Sequence, residues 1–220
     1  MEYSKLRELP MQPSYPTLRK FVRQLKKVPF DLGQFEVRHR TKGKLIAFDM
    51  VPDGQGNKAL DLGCRDGFWS EKLKNKGYSV TSVDLEPHYA TGLRVNADEG
   101  LPFGDSEFDL VWCSEVIEHL KNPAFTLGEI KRILKPRGIL LMTTPNRGLW
   151  IYQFFERIGV PAAALQSEDH VQFLNYGDMK SLLGRFDAYG FFPYMFWKTT
   201  IRKHVESLSP TIVVNYVNQK

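Results

Sequence analysis

The chain contains 220 residues, of which 42% are hydrophobic and 25% are charged, a composition that excludes a disordered or fibrous protein. Its two cysteines, Cys64 and Cys113, are too few for a disulfide framework or a cysteine zinc site. Because the sequence has no long apolar run and its first 30 residues are too charged for a signal peptide, it predicts a cytoplasmic protein.

The positive charge is concentrated in the first 45 residues, which hold 11 basic and 4 acidic residues, whereas the other 175 residues have a net charge of −2. Residues 17–28 place apolar side chains at helical spacing and basic side chains mostly on the other side, which predicts an amphipathic basic helix. A second helix is predicted over residues 35–50, ending before Val51-Pro52. The basic helix could attract phosphates, nucleic acid or an anionic membrane surface, or it could be a solvated face.

From residue 57 onwards, predicted strands alternate with predicted helices. The strands are KALDLG, YSVTSVD, FDLVWCS and GILLMTTP; the helices are FWSEKLKNKG and PAFTLGEIKRILKPRG, the second ended by Pro136 and Gly138. Residues 146–183 are predicted to be mostly helical, and DAYGFFPYMFW and TIVVNYV are predicted to pair antiparallel at the sheet edge. The pattern indicates an α/β fold over residues 51–220, with a doubly wound, mostly parallel sheet, helices on both faces and an antiparallel edge strand.

A glycine turn follows the first predicted strand, where open parallel sheets bind their ligands. Gly63 and Gly67 are spaced differently from the glycines of a dinucleotide site. Asp61 precedes the turn and would repel a phosphate but suit a cationic group, and Asp84 ends the next strand, where a carboxylate can bind both ribose hydroxyls. These residues predict a ligand with a ribose and a positive charge but no phosphate.

Five segments carry a resemblance to a known family: DLGCRDG, the acid in SVDLEP, NADEGLPF, EFDLVWCSEVIEHL and LKPRGILLMTTPN. In this order and spacing they resemble the motif series of class I S-adenosylmethionine-dependent methyltransferases, nearest to the quinone-biosynthesis group. The resemblance covers residues 57–146. It implies a seven-stranded Rossmann-like sheet and S-adenosylmethionine as the cofactor. It also implies that residues 1–50 are an N-terminal extension with lid helices in the same domain.

The same resemblance implies roles for individual residues. Asp61 and Gly63 would lie near the methionine part of the cofactor and Asp84 would bind its ribose, while Leu85 would flank the adenine and Asp98 would face its exocyclic amine. The implied cofactor-binding set is Asp61, Gly63, Cys64, Arg65, Gly67, Asp84, Leu85, Asp98 and Ser114. Arg65 stands where the family usually has glycine, so its side chain would either crowd the methionine carboxylate or pair with it.

Candidate catalytic residues follow the predicted strand FDLVWCS, in SEVIEHL. Glu115, Glu118 and His119 would lie close together on a helix or turn and could polarise a hydroxyl, act as a base, or serve only in packing and capping. The cluster could also hold a divalent ion, although a metal is not predicted. The predicted catalytic residues are His119, Glu115 and His170, the last in a segment where the family usually places substrate contacts.

Two aromatic clusters, at residues 149–155 and 189–197, favour core or dimer packing over an apolar substrate pocket. The first follows the TTPN turn at the mouth of the expected site, so an apolar pocket stays open as its alternative.

The favoured function is O-methylation of a small or lipid-linked acceptor, with peripheral contact with an anionic membrane as an option. The alternatives are an RNA methyltransferase that grips phosphates with the basic helix, and a non-catalytic cofactor-binding protein. Nucleic acid is disfavoured as a partner for two reasons. The chain lacks, after the predicted strand FDLVWCS, the N/D-P-P-Y turn that serves amino-group methylation of bases, and it has no cysteine placed for attack on a pyrimidine.

Overall fold

The computed structural model describes residues 41–157, 171–192 and 198–220. Two sequence predictions, the basic helix at residues 17–28 and the candidate base His170, lie outside the described residues. So do residues 193–197 of the second aromatic cluster.

The described elements alternate along most of the chain. In order they are α1 (Lys42–Asp49), β1 (Lys58–Leu62), α2 (Phe68–Asn75), β2 (Ser79–Asp84), β3 (Leu93–Arg94), β4 (Phe108–Ser114), a 3-10 turn (Ile117–His119), α3 (Pro123–Ile133), β5 (Leu134–Pro145), α4 (Trp150–Arg157), α5 (Tyr176–Leu183), β6 (Asp187–Phe192), β7 (Thr199–Ile201), α6 (Val205–Leu208) and β8 (Thr211–Val217).

The described strands form one sheet in the order β3-β2-β1-β4-β5-β8-β6-β7. Strands β1 to β5 pair in parallel, whereas β8 pairs antiparallel with both β5 and β6, and β7 pairs antiparallel with β6. This arrangement confirms the predicted α/β class. Within the described residues the sheet has eight strands rather than seven, because the short strand β7 extends it beyond β6.

Two local details differ from the sequence expectations. Helix α3 ends at Ile133, before the predicted stop at Pro136, because Lys135 precedes a proline and is disfavoured in helical backbone. Strand β5 therefore begins directly at Leu134, which pairs with Phe108. The predicted antiparallel pair is present as β6 and β8, but β8 lies inside the sheet and β7 takes the edge.

Helices cover both faces of the sheet, as the apolar pattern predicted. Leu60, Val111 and Met142 point to the face that packs against α3 and α5. Ala59, Trp112 and Leu141 point to the opposite face, which packs against α1, α2 and α4. On this second face the rings of Phe48, Trp69 and Trp112 contact one another, so α1 and α2 are anchored to the same part of β4.

The parallel strands β1, β2, β4 and β5 end at one edge of the sheet, here called the carboxyl edge. The predicted cofactor residues lie there or in the following loops, together with Glu115 and His119. None of the helices in the described part of the chain combines the length and apolar character needed to cross a bilayer.

Candidate active site

The loop after β1 is a tight turn that approaches the loop after β4. Gly63 has a φ of 83°, and a Cβ atom built on it would overlap the side chain of Val116. Gly67 has a φ of 80°, and a Cβ atom there would overlap the ring of Tyr89. Both glycines are therefore required by backbone conformation and by close packing.

Asp84, the last residue of β2, is held by the backbone of this turn. One carboxylate oxygen accepts the N–H of Arg65 at 2.8 Å, and the other accepts the N–H of Glu86 at 2.9 Å. Each oxygen keeps a free lone pair, so the carboxylate is oriented without being saturated. Arg65 itself has a φ of 45°, and its side chain is exposed.

Asp61 is buried beneath the turn, at 1% exposure. Its Oδ2 accepts the Ser70 hydroxyl at 2.5 Å, and the Ser70 and Ser82 hydroxyls lie 2.7 Å apart. Burial raises the pKa of Asp61 to about 7; the Ser70 hydrogen bond opposes the shift, and the charge of Asp84 adds to it. A cationic group arriving beside Asp61 would stabilise its ionised form.

The remaining predicted cofactor residues differ in their surroundings. The Cys64 thiol is buried, and burial raises its pKa to about 12, so it is protonated at neutral pH. Leu85 is 55% exposed and offers an apolar surface beside Asp84. Asp98 accepts the backbone N–H groups of Lys121 and Asn122 at 3.1 Å and 2.9 Å, which joins the segment after β3 to the start of α3.

Two carboxylates meet the last residues of β5. The Thr143 hydroxyl donates to Glu115 Oε1 at 2.8 Å, and the Thr144 hydroxyl donates to Glu118 Oε2 at 3.2 Å. Burial raises the pKa of both glutamates, and the charge of Glu115 raises that of Glu118 further. Ser114 joins the group through a 2.9 Å contact between its hydroxyl and that of Thr143.

His119 belongs to the same 3-10 turn as Glu118, but its side chain is exposed whereas that of Glu118 is buried. The three predicted residues are neighbours without converging as ligands: across residues 41–157, 171–192 and 198–220, no group of three or more His, Cys, Asp or Glu side chains is placed to hold a metal ion. The carbonyl of Glu118 accepts the N–H groups of Val171 and Gln172, so the segment after residue 170 is attached to the site.

The first aromatic cluster divides between core and surface. Leu149 and Tyr152 are buried, as the packing interpretation predicted, whereas Trp150 and Phe154 are 50% and 55% exposed on α4. In the second cluster Phe191 is buried and Tyr189 packs against the core.

Several residues at this edge were not predicted from the sequence. Thr143 and Thr144 lie within the segment LKPRGILLMTTPN, but their contacts with the glutamates could have been found only from the register of β5 beside β4. The charge of Lys44 acts on both glutamates. The sequence does not single it out, because it is one of 11 basic residues in the first 45. Tyr89 donates its hydroxyl to Glu71, accepts from Lys74 at 2.7 Å, and so fixes its ring against Gly67.

The chain matches the methyltransferase domain family over residues 36–192. The ubiquinone biosynthesis O-methyltransferase of Azoarcus sp. (strain BH72) is 32% identical over 113 residues, covering 45% of this chain and 48% of the relative. The chain thus spans about half the length of the curated relatives it matches.

Two solved structures have the same fold. A possible histamine N-methyltransferase from Thermotoga maritima gives a TM-score of 0.61 at 16% identity, covering 94% of this chain and 99% of that one. The 1,6-didemethyltoxoflavin-N1-methyltransferase of Burkholderia thailandensis gives 0.56 at 14% identity, covering 97% and 94%. At these identities the similarity concerns the fold alone.

Proposed function

Because the chain belongs to the methyltransferase domain family, we propose that it methylates a hydroxyl oxygen of a small acceptor with S-adenosylmethionine. One observation carries the proposal: Asp84 ends β2 with both carboxylate oxygens oriented by the backbone of the glycine turn. A carboxylate held in this way suits a ribose diol, and the turn beside it has no free room for side chains at Gly63 and Gly67.

The other residues of the turn fit the remaining parts of this cofactor. Asp61 is buried and its carboxyl gains a partner if an ammonium group binds beside it. Leu85 offers an exposed apolar surface for the adenine, and Asp98 is oriented with acceptor capacity left for an exocyclic amine. Cys64, Arg65 and Ser114 complete the proposed binding set. When bound, the cofactor supplies an electrophilic methyl group on a sulfonium.

The chain's own part in the reaction is to align the acceptor hydroxyl and to take its proton. We propose that Glu115 and His119 perform the second task. Glu115 lies at the carboxyl edge with one oxygen fixed by Thr143, and His119 presents an exposed imidazole beside it. His170 stays a predicted base on sequence grounds.

We further propose a lipid-linked acceptor. The support is a pair of exposed rings, Trp150 and Phe154, which lie one helical turn apart on α4. Helix α4 begins five residues after the end of β5. An apolar tail could lie against these rings. Peripheral contact with an anionic membrane, a lid formed within residues 1–50 and a cytoplasmic location all stay predictions from the sequence.

Titration calorimetry tests the cofactor assignment. The protein should bind S-adenosylmethionine and S-adenosylhomocysteine but not NAD, and Asp84→Ala should weaken binding by about 1–3 kcal/mol. Asp105→Asn is the matched control, since Asp105 is an exposed carboxylate before β4, at the opposite edge of the sheet. Equal affinities for Asp84→Ala and the wild type would refute the role of Asp84.

Release of S-adenosylhomocysteine tests the acceptor class. Catechols with and without a prenyl tail, a mixed RNA pool and buffer alone form the four arms, and the product's methyl position is read by mass spectrometry. We expect turnover of catechols, faster with the tail. Turnover of RNA alone would favour the alternative function, and binding without turnover in any arm would favour a non-catalytic cofactor-binding protein.

A further inference from the structure

Helix α1 carries a basic side chain, Lys44, whose charge acts on the buried Glu118 and the half-buried Glu115. Gly43 lies against Thr211, so closely that a Cβ atom on Gly43 would come within 2.8 Å of Thr211 Cγ2. Thr211 is the first residue of β8 and pairs with Pro145, the last residue of β5. The first turn of α1 therefore rests on the start of β8, directly beside the end of β5 that holds the two glutamates through Thr143 and Thr144.

The helix is rigidly anchored at this place. Ile46 and Ala47 are buried against the sheet, and the ring of Phe48 contacts those of Trp69 and Trp112 at centroid distances of 5.1 Å and 6.0 Å. The half-buried Lys44 side chain is thus carried by an element whose position is fixed at both ends.

The glutamate pair needs a positive charge nearby. Glu118 is 1% exposed, and within the described residues its Oε1 has no hydrogen-bond partner. Glu115 is half-buried beside it, and each negative charge opposes ionisation of the other unless a positive charge compensates. Burial raises the pKa of Glu115, and the positive charge of Lys44 opposes that rise. The same charge also lowers the pKa of Glu118.

We propose that Lys44 is a positioning residue for methyl transfer: from α1 it supplies the countercharge that allows Glu115 to be a carboxylate beside Glu118 at the carboxyl edge. It acts through Glu115 rather than on the acceptor or the cofactor. The catalytic consequence rests on the proposed function, whereas the charge coupling does not.

A double-mutant cycle measured by urea unfolding tests the coupling without any acceptor. Lys44→Met keeps the side-chain length and removes the charge, and we expect it to lower the folding equilibrium constant about tenfold in the wild-type background. In a Glu115→Gln/Glu118→Gln background the same change should have an effect of less than about twofold. Lys44→Arg should restore the wild-type value, and Lys42→Met, in the same helical turn, is the matched control.

Catalysis is read separately on the same variants. With whichever acceptor gives turnover, Lys44→Met should lower kcat about tenfold or more while the affinity for S-adenosylhomocysteine stays within about twofold. An equal loss of stability from Lys44→Met in both backgrounds would overturn the proposal. Absence of turnover in the wild type would refute the proposed function instead, and the unfolding cycle would still decide the role of Lys44.

Discussion

Two residues of the site hold a backbone conformation that favours glycine. Arg65 has a φ of 45° in the loop after β1, and Glu115 has a φ of 56° in the loop after β4. Such conformations cost free energy and persist when the surrounding structure fixes them. Here the N–H of Arg65 is bound by Asp84 and the N–H of Glu115 by the carbonyl of Thr143. The strain therefore falls on two residues of the candidate site.

The strain at Arg65 predicts that Arg65→Gly stabilises the protein by about 0.5 to 1 kcal/mol in urea unfolding. Arg137→Gly is the matched control, because Arg137 has a φ of 63° at the start of β5, away from the carboxyl edge. Both variants should gain similar stability. Calorimetry then separates the two interpretations of Arg65: weaker cofactor binding in Arg65→Gly indicates pairing with the methionine carboxylate, and tighter binding indicates crowding. No gain in stability for either variant would contradict the strain argument.

Asp61 predicts a pH dependence of stability. Burial raises its pKa from 3.8 to about 7, so between these values the folded protein binds a proton that the unfolded chain does not. The contribution of Asp61 to the free energy of unfolding should therefore be greatest near pH 4 and fall as the pH rises towards 7, by at most about 1.4 kcal/mol per pH unit.

Urea unfolding of the wild type and Asp61→Asn between pH 4 and pH 8 measures this contribution. The free energy of unfolding of Asp61→Asn, relative to that of the wild type, should rise with pH up to about pH 7 and then level off. The control is Asp66→Asn, which changes an exposed carboxylate of the same turn. A pH-independent difference between the wild type and Asp61→Asn would show that Asp61 titrates alike in the folded and unfolded states.

Among the elements, the contact between the loops after β1 and β4 joins the cofactor half of the site to the glutamate half. Its centre is Gly63, whose missing side chain leaves room for Val116. Val116 is followed directly by the 3-10 turn that carries Glu118 and His119. We therefore expect a change at Gly63 to shift the candidate catalytic residues.

Gly63→Ala should lower the free energy of unfolding in two ways: through the strain of a positive φ, and through the overlap with Val116, which should cost a further amount of about 1–3 kcal/mol. Gly56→Ala isolates the first cost, because Gly56 has a φ of 85° and no heavy atom near the added Cβ. The combination Gly63→Ala/Val116→Ala should recover most of the extra loss in urea unfolding. If Gly63→Ala and Gly56→Ala were equally destabilising, the two loops would not be in close contact.

For the molecule as a whole, the sequence predicts the elements that repeat a regular pattern. Strand β8 matches TIVVNYV, and β1, β2 and β4 match KALDLG, YSVTSVD and FDLVWCS to within one residue, because segments of strand length bounded by turn residues predict strands. Leu93–Arg94 and Thr199–Ile201 were missed, since two or three residues cannot establish a period. The places of Asp61, Gly63 and Asp84 near the carboxyl edge could be predicted because they lie at the end of a strand or directly after one. The Thr143–Glu115 and Lys44–Glu115 relations depend on tertiary packing and leave no local signal.

The antiparallel strand β8 has a consequence for synthesis on the ribosome. Strand β6 reaches the sheet only through β8, with Asp187 opposite Asn215, so β6 has no place in the sheet until the chain has been made to about residue 217. By then β1 to β5 can already have paired, because their partners emerge in order. During that interval the edge of β5 is open to other chains, and this is the stage of biogenesis at which a chaperone would be needed most.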